Sequence, residues 1–447
     1  MNKFVLYVKR EARAKGSFMR GVLTLVSGTT LAQAIPLVLA PVTSRIYVPK
    51  DYGFFALFGA VSAIIGVFVS GRYELAIMLP KQEEDAATIT LMSIAIACAV
   101  SITVLIGIPL ISVCLAYAGL ADMRNLRWLY WIPLSVLLTG VYQPLTYWHN
   151  RRGEYKSLAI SRICQTVSTS FGTIGLGLLQ TKGYGLITGS CLGLMTAVLI
   201  LATGKSGRTL FWGRKNAHKS FSRVAYQYKD FPLFSLPGAL LDVFSNQIPV
   251  VLIGRFFSTS AVGLYSFAMK TLSLPVSLIG NAVGQVFYQK FSQNVNLPKR
   301  GLSLLLRTWL AIGGASFLPF LFVFLFGQSV FGLVFGKNWI DAGKMASILS
   351  PMLFVLFVSS PTSTTYTALR LQHLALSFGI AVIVYRPAAL YVGALNHDLY
   401  LGFRIFVVCE IAQVFLYNAV ILKKLWTDKT HSDKTSSCIT ELREKTH

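Results

Sequence analysis

The 447-residue sequence predicts an all-α, polytopic membrane protein of about twelve transmembrane helices in two pseudo-repeated six-helix lobes around a central cavity. Three observations carry that expectation. Hydrophobic residues make up 54% of the chain and charged residues 13%, and the mean hydropathy is +0.60, far from the balance of a soluble domain. Twelve apolar runs are close to the ~20 residues that a hydrocarbon core requires. A proline-bearing hairpin near the start returns in the second half, as in membrane folds built from internal repeats.

The runs lie near 22–44, 54–79, 88–116, 128–149, 158–180, 185–203, 233–254, 262–289, 303–326, 345–369, 374–395 and 399–424. The first two form the hairpin, from Gln33 to Pro80. Pro36 and Pro41 would damage a helix in water, but a bilayer tolerates them where neighbouring helices take up the freed backbone groups. A polar turn, Arg45 to Asp51, separates the two runs, and the second closes on Arg72, Glu74 and Pro80. In the copy, Leu240 to Lys270, Arg255 and Gly263 take the places of Arg45 and Gly53, and Ile248-Pro249 falls near the place of Ile35-Pro36.

These runs divide the chain into a basic cytosolic arm (1–20), a first lobe (21–203), a basic cytosolic linker (204–231), a second lobe (232–424) and a polar cytosolic tail (425–447). The arm has no apolar core followed by a small-residue cleavage site, so it is expected to remain on the protein and in the cytosol. With the N-terminus inside, 27 Lys and Arg fall on the cytosolic side, 8 on the other and 6 within spans. That asymmetry follows the positive-inside rule and explains the net charge of +24 through the anionic inner leaflet, without nucleic acid. The linker interleaves basic and aromatic residues, which suits either an amphipathic segment on the inner leaflet or a solvated connector.

Catalytic and metal signatures are missing. The six cysteines have no metal or disulfide spacing. Gly204-Lys205-Ser206 lacks the glycine a phosphate loop needs five residues earlier, where Leu199 stands. The histidines form no HExxH, and there is no GxSxG. Neither an enzyme, a metal site nor a cofactor is expected.

What remains is polar chemistry inside the spans. Three acids, Glu74, Asp242 and Glu410, face six bases, Arg72, Arg162, Lys270, Arg307, Arg386 and Arg404. A charge at the middle of a lone helix costs ~2.5–3.5 kcal/mol, so such groups usually face protein or a wet cavity. The cationic excess points to an anionic ligand. Arg72, Arg162 and Arg307 lie near expected cytosolic ends, where snorkelling to lipid phosphates is the alternative. In the eighth run Ser266, Lys270, Ser273, Ser277, Asn281, Gln285 and Tyr288 recur every three or four residues as one polar stripe, which either lines a cavity or bonds to neighbouring helices. Asp242 and Lys270 lie at similar depths on either side of a turn near Ser258, so they are expected to pair in one state of the protein.

GTTLAQAIPLVLAPVTSRIYVPKDYGFFAL, RYELAIMLPK, YKDFPLFSLPGALL and VGLYSFAMKTLSLPVSLIG resemble the polysaccharide flippases of bacterial surface-glycan clusters, of the O-antigen and capsule type. These belong to the multidrug/oligosaccharidyl-lipid/polysaccharide exporter superfamily. The resemblance runs from about Gly21 to Leu425, and RYELAIxLP is its most specific piece. It implies twelve helices in two lobes and a polyprenyl-pyrophosphate-linked oligosaccharide turned from the inner to the outer leaflet of the bacterial plasma (inner) membrane. The expected partners are that glycan lipid, membrane lipids and other surface-polysaccharide assembly proteins, for lipopolysaccharide or capsule. Arg72, Arg162, Lys270, Arg307, Ser273 and Asn281 are the candidates for the pyrophosphate and glycan. Glu74, Asp242 and Glu410 are the candidates for charge pairing or for coupling to a proton or sodium gradient. The rivals are a drug or metabolite antiporter of the same superfamily and a membrane glycan polymerase or ligase.

Overall fold

The computed structural model describes residues 2–117, 123–212, 221–293, 298–360, 365–369 and 371–444. The described elements are helical and fall into two units, Met1–Val251 and Leu252–His447. Among the described residues twelve long helices stand where the apolar runs predict them. Eight of these are long and apolar enough to cross a membrane by composition alone. The other four include the helix with the polar stripe.

The first unit holds α1 (Asn2–Ile46), α2 (Pro49–Gly66), α3 (Glu83–Tyr117), α4 (Ile132–Arg151), α5 (Tyr155–Leu178) and α6 (Gly183–Thr203). Short α7 (Lys205–Trp212) and α8 (Phe221–Gln227) follow, and the unit ends inside α9 (Leu236–Phe256). α1 packs on α5, α5 on α6 and α3 on α4. Pro36 and Pro41 lie inside α1 and Pro249 inside α9, as a bilayer allows. Tyr47, in the tight turn after α1, donates its hydroxyl to Thr173 O at 2.7 Å and pins the hairpin to α5.

The second apolar run, expected to be continuous over 54–79, is broken. α2 stops at Gly66, and a 3-10 segment covers Tyr73–Met78. Between them Gly71 and Arg72 have φ of 57° and 62°, left-handed values that a right-handed helix cannot contain and that an L side chain adopts at a cost. Two features hold the break in place. Gly140 of α4 leaves room for it, since a Cβ there would overlap Val69 and Ala97. Arg151, at the end of α4, donates to Ile77 O at 3.0 Å and Pro80 O at 2.5 Å, capturing carbonyls that the short 3-10 turn leaves free.

The second unit contains α10 (Thr259–Gln293), α11 (Pro298–Phe335), α12 (Ile340–Ser359), short α13 (Thr365–Ala368), α14 (Gln372–Leu395) and α15 (Leu399–Glu444). α12 packs against α10, α11 and α15. Phe267 lies 4.1 Å from the Trp339 ring and 4.9 Å from Phe335. Tyr366 stacks on Tyr417 at 4.0 Å. Of the run expected over 345–369, α12 is described to Ser359 and α13 from Thr365, and residues 361–364 lie outside the described ones. The helical conformation also runs on through the chain ends read as arm and tail, from Asn2 and to Glu444. Both copies of the repeated hairpin are present. Arg45 and Arg255 each stand in the last turn before a two-residue connection, and Gly53 and Gly263 are both buried.

Candidate functional site

The break after α2 puts charge where a continuous apolar helix would have none. Glu74, only 2% exposed, accepts a short hydrogen bond from Ser70 Oγ, and Arg72 Nη1 lies 3.5 Å from its other oxygen. Arg72 is 31% exposed, and its buried Nε has no partner in the structure. Tyr147 of α4 lies within electrostatic range of both charges. A guanidinium carries five donors, and this one engages Glu74 at a single contact longer than a good charge-assisted bond. It can therefore take an incoming anion without first losing a strong bond.

Arg162 of α5 is half-buried and donates to Thr29 Oγ1 of α1 at 2.5 Å. Thr29 in turn donates to Leu25 O at 2.7 Å, which fixes its remaining acceptor toward the arginine. Asp242 of α9 is exposed and accepts from Asn246 Nδ2 at 3.3 Å.

The remaining predicted residues belong to the second unit. Lys270 is exposed on α10, with the buried, unpartnered Ser266 Oγ one turn before it. Ser273 is half-buried on the same helix, and the side chain of Asn281 lies outside the described ones. Arg307 is exposed on α11. Glu410 of α15, 3% exposed, faces Arg386 of α14, whose Nε lies 2.5 Å from Oε1. Arg386 also sits 5.8 Å over the Phe406 ring, near Tyr265 and Tyr385. The approach of α14 to α15 depends on Gly393 and Gly402, where a Cβ on Gly393 would crowd the Gly402 backbone.

The predicted set is thus divided. Arg72, Arg162, Glu74 and Asp242 belong to one unit, and Lys270, Ser273, Asn281, Arg307 and Glu410 to the other. Ser277 of the polar stripe turns back on its own helix and donates to Leu274 O, as Thr146 does to Tyr142 O on α4 and Ser161 to Leu158 O on α5. Sequence reasoning missed Arg151, counted only among the 27 cytosolic Lys and Arg, although it fastens the break. Near it, Ser206 donates to Glu154 at 2.5 Å and Trp148 Nε1 to Ser206 O at 3.0 Å, tying the α4–α5 turn to α7.

The teichuronic acid biosynthesis protein TuaB of Bacillus subtilis (strain 168) is 23% identical over 244 residues, covering 53% of this chain and 48% of the relative. The chain therefore spans about half the length of that curated relative. Solved structures share the fold across nearly the whole chain. A transporter of the MOP superfamily from Pyrococcus furiosus, described as having a binding pocket of reversed polarity, matches with a TM-score of 0.61 at 13% identity, over 92% of this chain and 96% of its own. Inward-facing and outward-facing multidrug-resistance MATE transporters of that superfamily match with TM-scores of 0.60 and 0.59. Their identities are 14% and 13%; each match covers 91% of this chain, and 94% and 96% of the respective structures. The family described as polysaccharide biosynthesis protein matches residues 42–344, a stretch that includes the broken helix, Arg162, Asp242, Lys270 and Arg307 but not Arg386 or Glu410. This chain belongs to the polysaccharide biosynthesis protein family and is built on the MOP-superfamily transporter fold that its resemblance to the polysaccharide flippases implies.

Proposed function

We propose that the protein turns a polyprenyl-pyrophosphate-linked oligosaccharide from the inner to the outer leaflet of the bacterial plasma membrane by alternating access, with both termini cytosolic. The observation that carries the reading is the break at Gly71–Arg72, where a half-open guanidinium sits beside a buried carboxylate. Discontinuous membrane helices are where transporters of this kind bind charged cargo. A pyrophosphate competes with Glu74 for Arg72, because phosphoryl oxygens accept the bidentate bonds that a guanidinium offers. Releasing Glu74 leaves a buried carboxylate without its cation, which makes Glu74 the first candidate for coupling cargo binding to an ion gradient without any covalent step. Arg162 adds a second cation in the same unit, and Lys270, Ser273, Asn281 and Arg307 remain the candidates that the other unit offers. Asp242 and Glu410 remain the other candidates for coupling, to a proton or to sodium. The cargo is a bacterial surface glycan, of the O-antigen or capsule type that the resemblance implies or a cell-wall polymer like that named for the Bacillus relative. A cation exporter would favour unneutralised acids in its interior, whereas the two buried ones, Glu74 and Glu410, face arginines and only the exposed Asp242 does not.

The test is surface glycan in a deletion strain carrying variants at normal protein levels. Arg72→Ala should abolish it, and Arg72→Lys should restore part, since lysine keeps the charge and loses the fork. Single glycan repeats appearing on the surface of the deletion strain would point to a polymerase instead. Full activity of Arg72→Ala would remove the break from the transport pathway.

A further inference from the structure

α10 and α11 leave a cavity of about 620 Å³ between them, closed below by α12, and its lining is almost wholly apolar. Leu272, Ile312 and Phe357 form a buried floor. Along α11 the lining residues Ala311, Ala315 and Pro319 repeat every four positions, so they share one face. Small side chains in that register ordinarily let a neighbouring helix come close. Here they border open space. From Arg307 to Val323 the lined stretch of α11 is roughly 24 Å long at the helical rise of 1.5 Å per residue. One end differs from the rest, because Arg307 and Thr308 stand there. Thr308 donates to Leu304 O at 2.8 Å within its own helix, so Arg307 is the group that presents charge to the groove.

A long apolar groove with one exposed cation at its end matches a lipid that has one tail and an anionic head. A diacyl phospholipid would leave its second chain outside. Regularly spaced methyl branches of a polyisoprenoid would fit the hollows over Ala311 and Ala315. We propose that this groove seats the polyprenyl chain of the lipid carrier, with its phosphate on Arg307. The proposal rests on the flipping reading above and adds the path of the tail.

Protein in nanodiscs is irradiated with a polyprenyl phosphate carrying a diazirine at its tail end and, in parallel, with phosphatidylglycerol carrying the diazirine at an acyl end. The polyprenyl probe should label α10 and α11 inside the groove. Labelling should fall about tenfold in Ala315→Phe, which fills the groove, and in Arg307→Gln. It should persist in Leu318→Phe, on the exposed face of α11 outside the groove. Should Ala315→Phe fail to insert, Ile279→Trp closes the groove from the α10 wall and gives the same reading. Equal groove labelling by phosphatidylglycerol overturns the proposal. So does polyprenyl labelling confined to other helices in a protein that still flips its cargo, a result that removes the groove and leaves the transport reading standing. Groove labelling in a protein that flips nothing would do the reverse.

Discussion

In the first unit Arg72 meets Glu74 two residues away along one strained stretch of chain, while in the second Arg386 meets Glu410 across two continuous helices. Both carboxylates are almost fully buried, at 2% and 4% side-chain exposure. The arginines differ: Arg72 is 31% exposed, at a contact of 3.5 Å and with a buried N–H unpartnered, whereas Arg386 is 15% exposed, held at 2.5 Å and covered by the Phe406 ring. A loose pair on a broken segment can exchange partners. A tight pair between packed helices mainly fixes their register, because losing either member strands a charge. On the proposed function the first pair is the one suited to handling cargo, and the geometry of the second suits holding α14 on α15.

The largest effect expected from this contrast is at Arg386. Arg386→Ala should destabilise the protein by about 3–5 kcal/mol, since it leaves Glu410 buried and unpaired. Thermal unfolding of the purified protein would show it. Replacing both residues with leucine should recover most of that stability, and transport with it. A stable but inactive double variant would give the second pair a working role and erase the difference between the units.

Smaller effects test how the break is held. Gly140→Val drives a side chain into Val69 and Ala97, and overpacking of this kind costs about 1–3 kcal/mol. Because Val69 belongs to the turn before Arg72, transport should fall further than stability does. Gly71→Ala should cost about 1–2 kcal/mol, the penalty of a left-handed residue with a Cβ, and should move the unfolding temperature more than activity. Unchanged transport in Gly140→Val would separate the break from function.

Much of the fold was legible in the sequence, because a bilayer demands long helices and twelve stand among the described residues, eight of them apolar enough to span by composition alone. The repeated hairpin was legible too, through Arg45, Gly53 and their counterparts. The break at Gly71 was not, since glycine is common inside membrane helices and gives no stop signal by itself. Arg72 and Glu74 were found as intramembrane charges, but their partnership depends on that break. Arg386 and Glu410 were within reach: they lie at similar depths on either side of the turn at 396–398, the relation that matched Asp242 to Lys270. Those last two fall in different units, each described with its own neighbours. Arg151 could not have been found, because donors to carbonyls more than seventy residues away leave no trace in local pattern.

The most direct measurement uses proteoliposomes loaded with a fluorescent polyprenyl-pyrophosphate oligosaccharide and follows the fraction that an external glycosidase can reach. With wild-type protein that fraction should rise well above the level of protein-free vesicles. With Arg72→Ala, folded and inserted, it should stay at that level. Wild-type protein no faster than empty liposomes would contradict leaflet translocation itself, and equal rates in the two proteins would contradict the role of the broken helix in it.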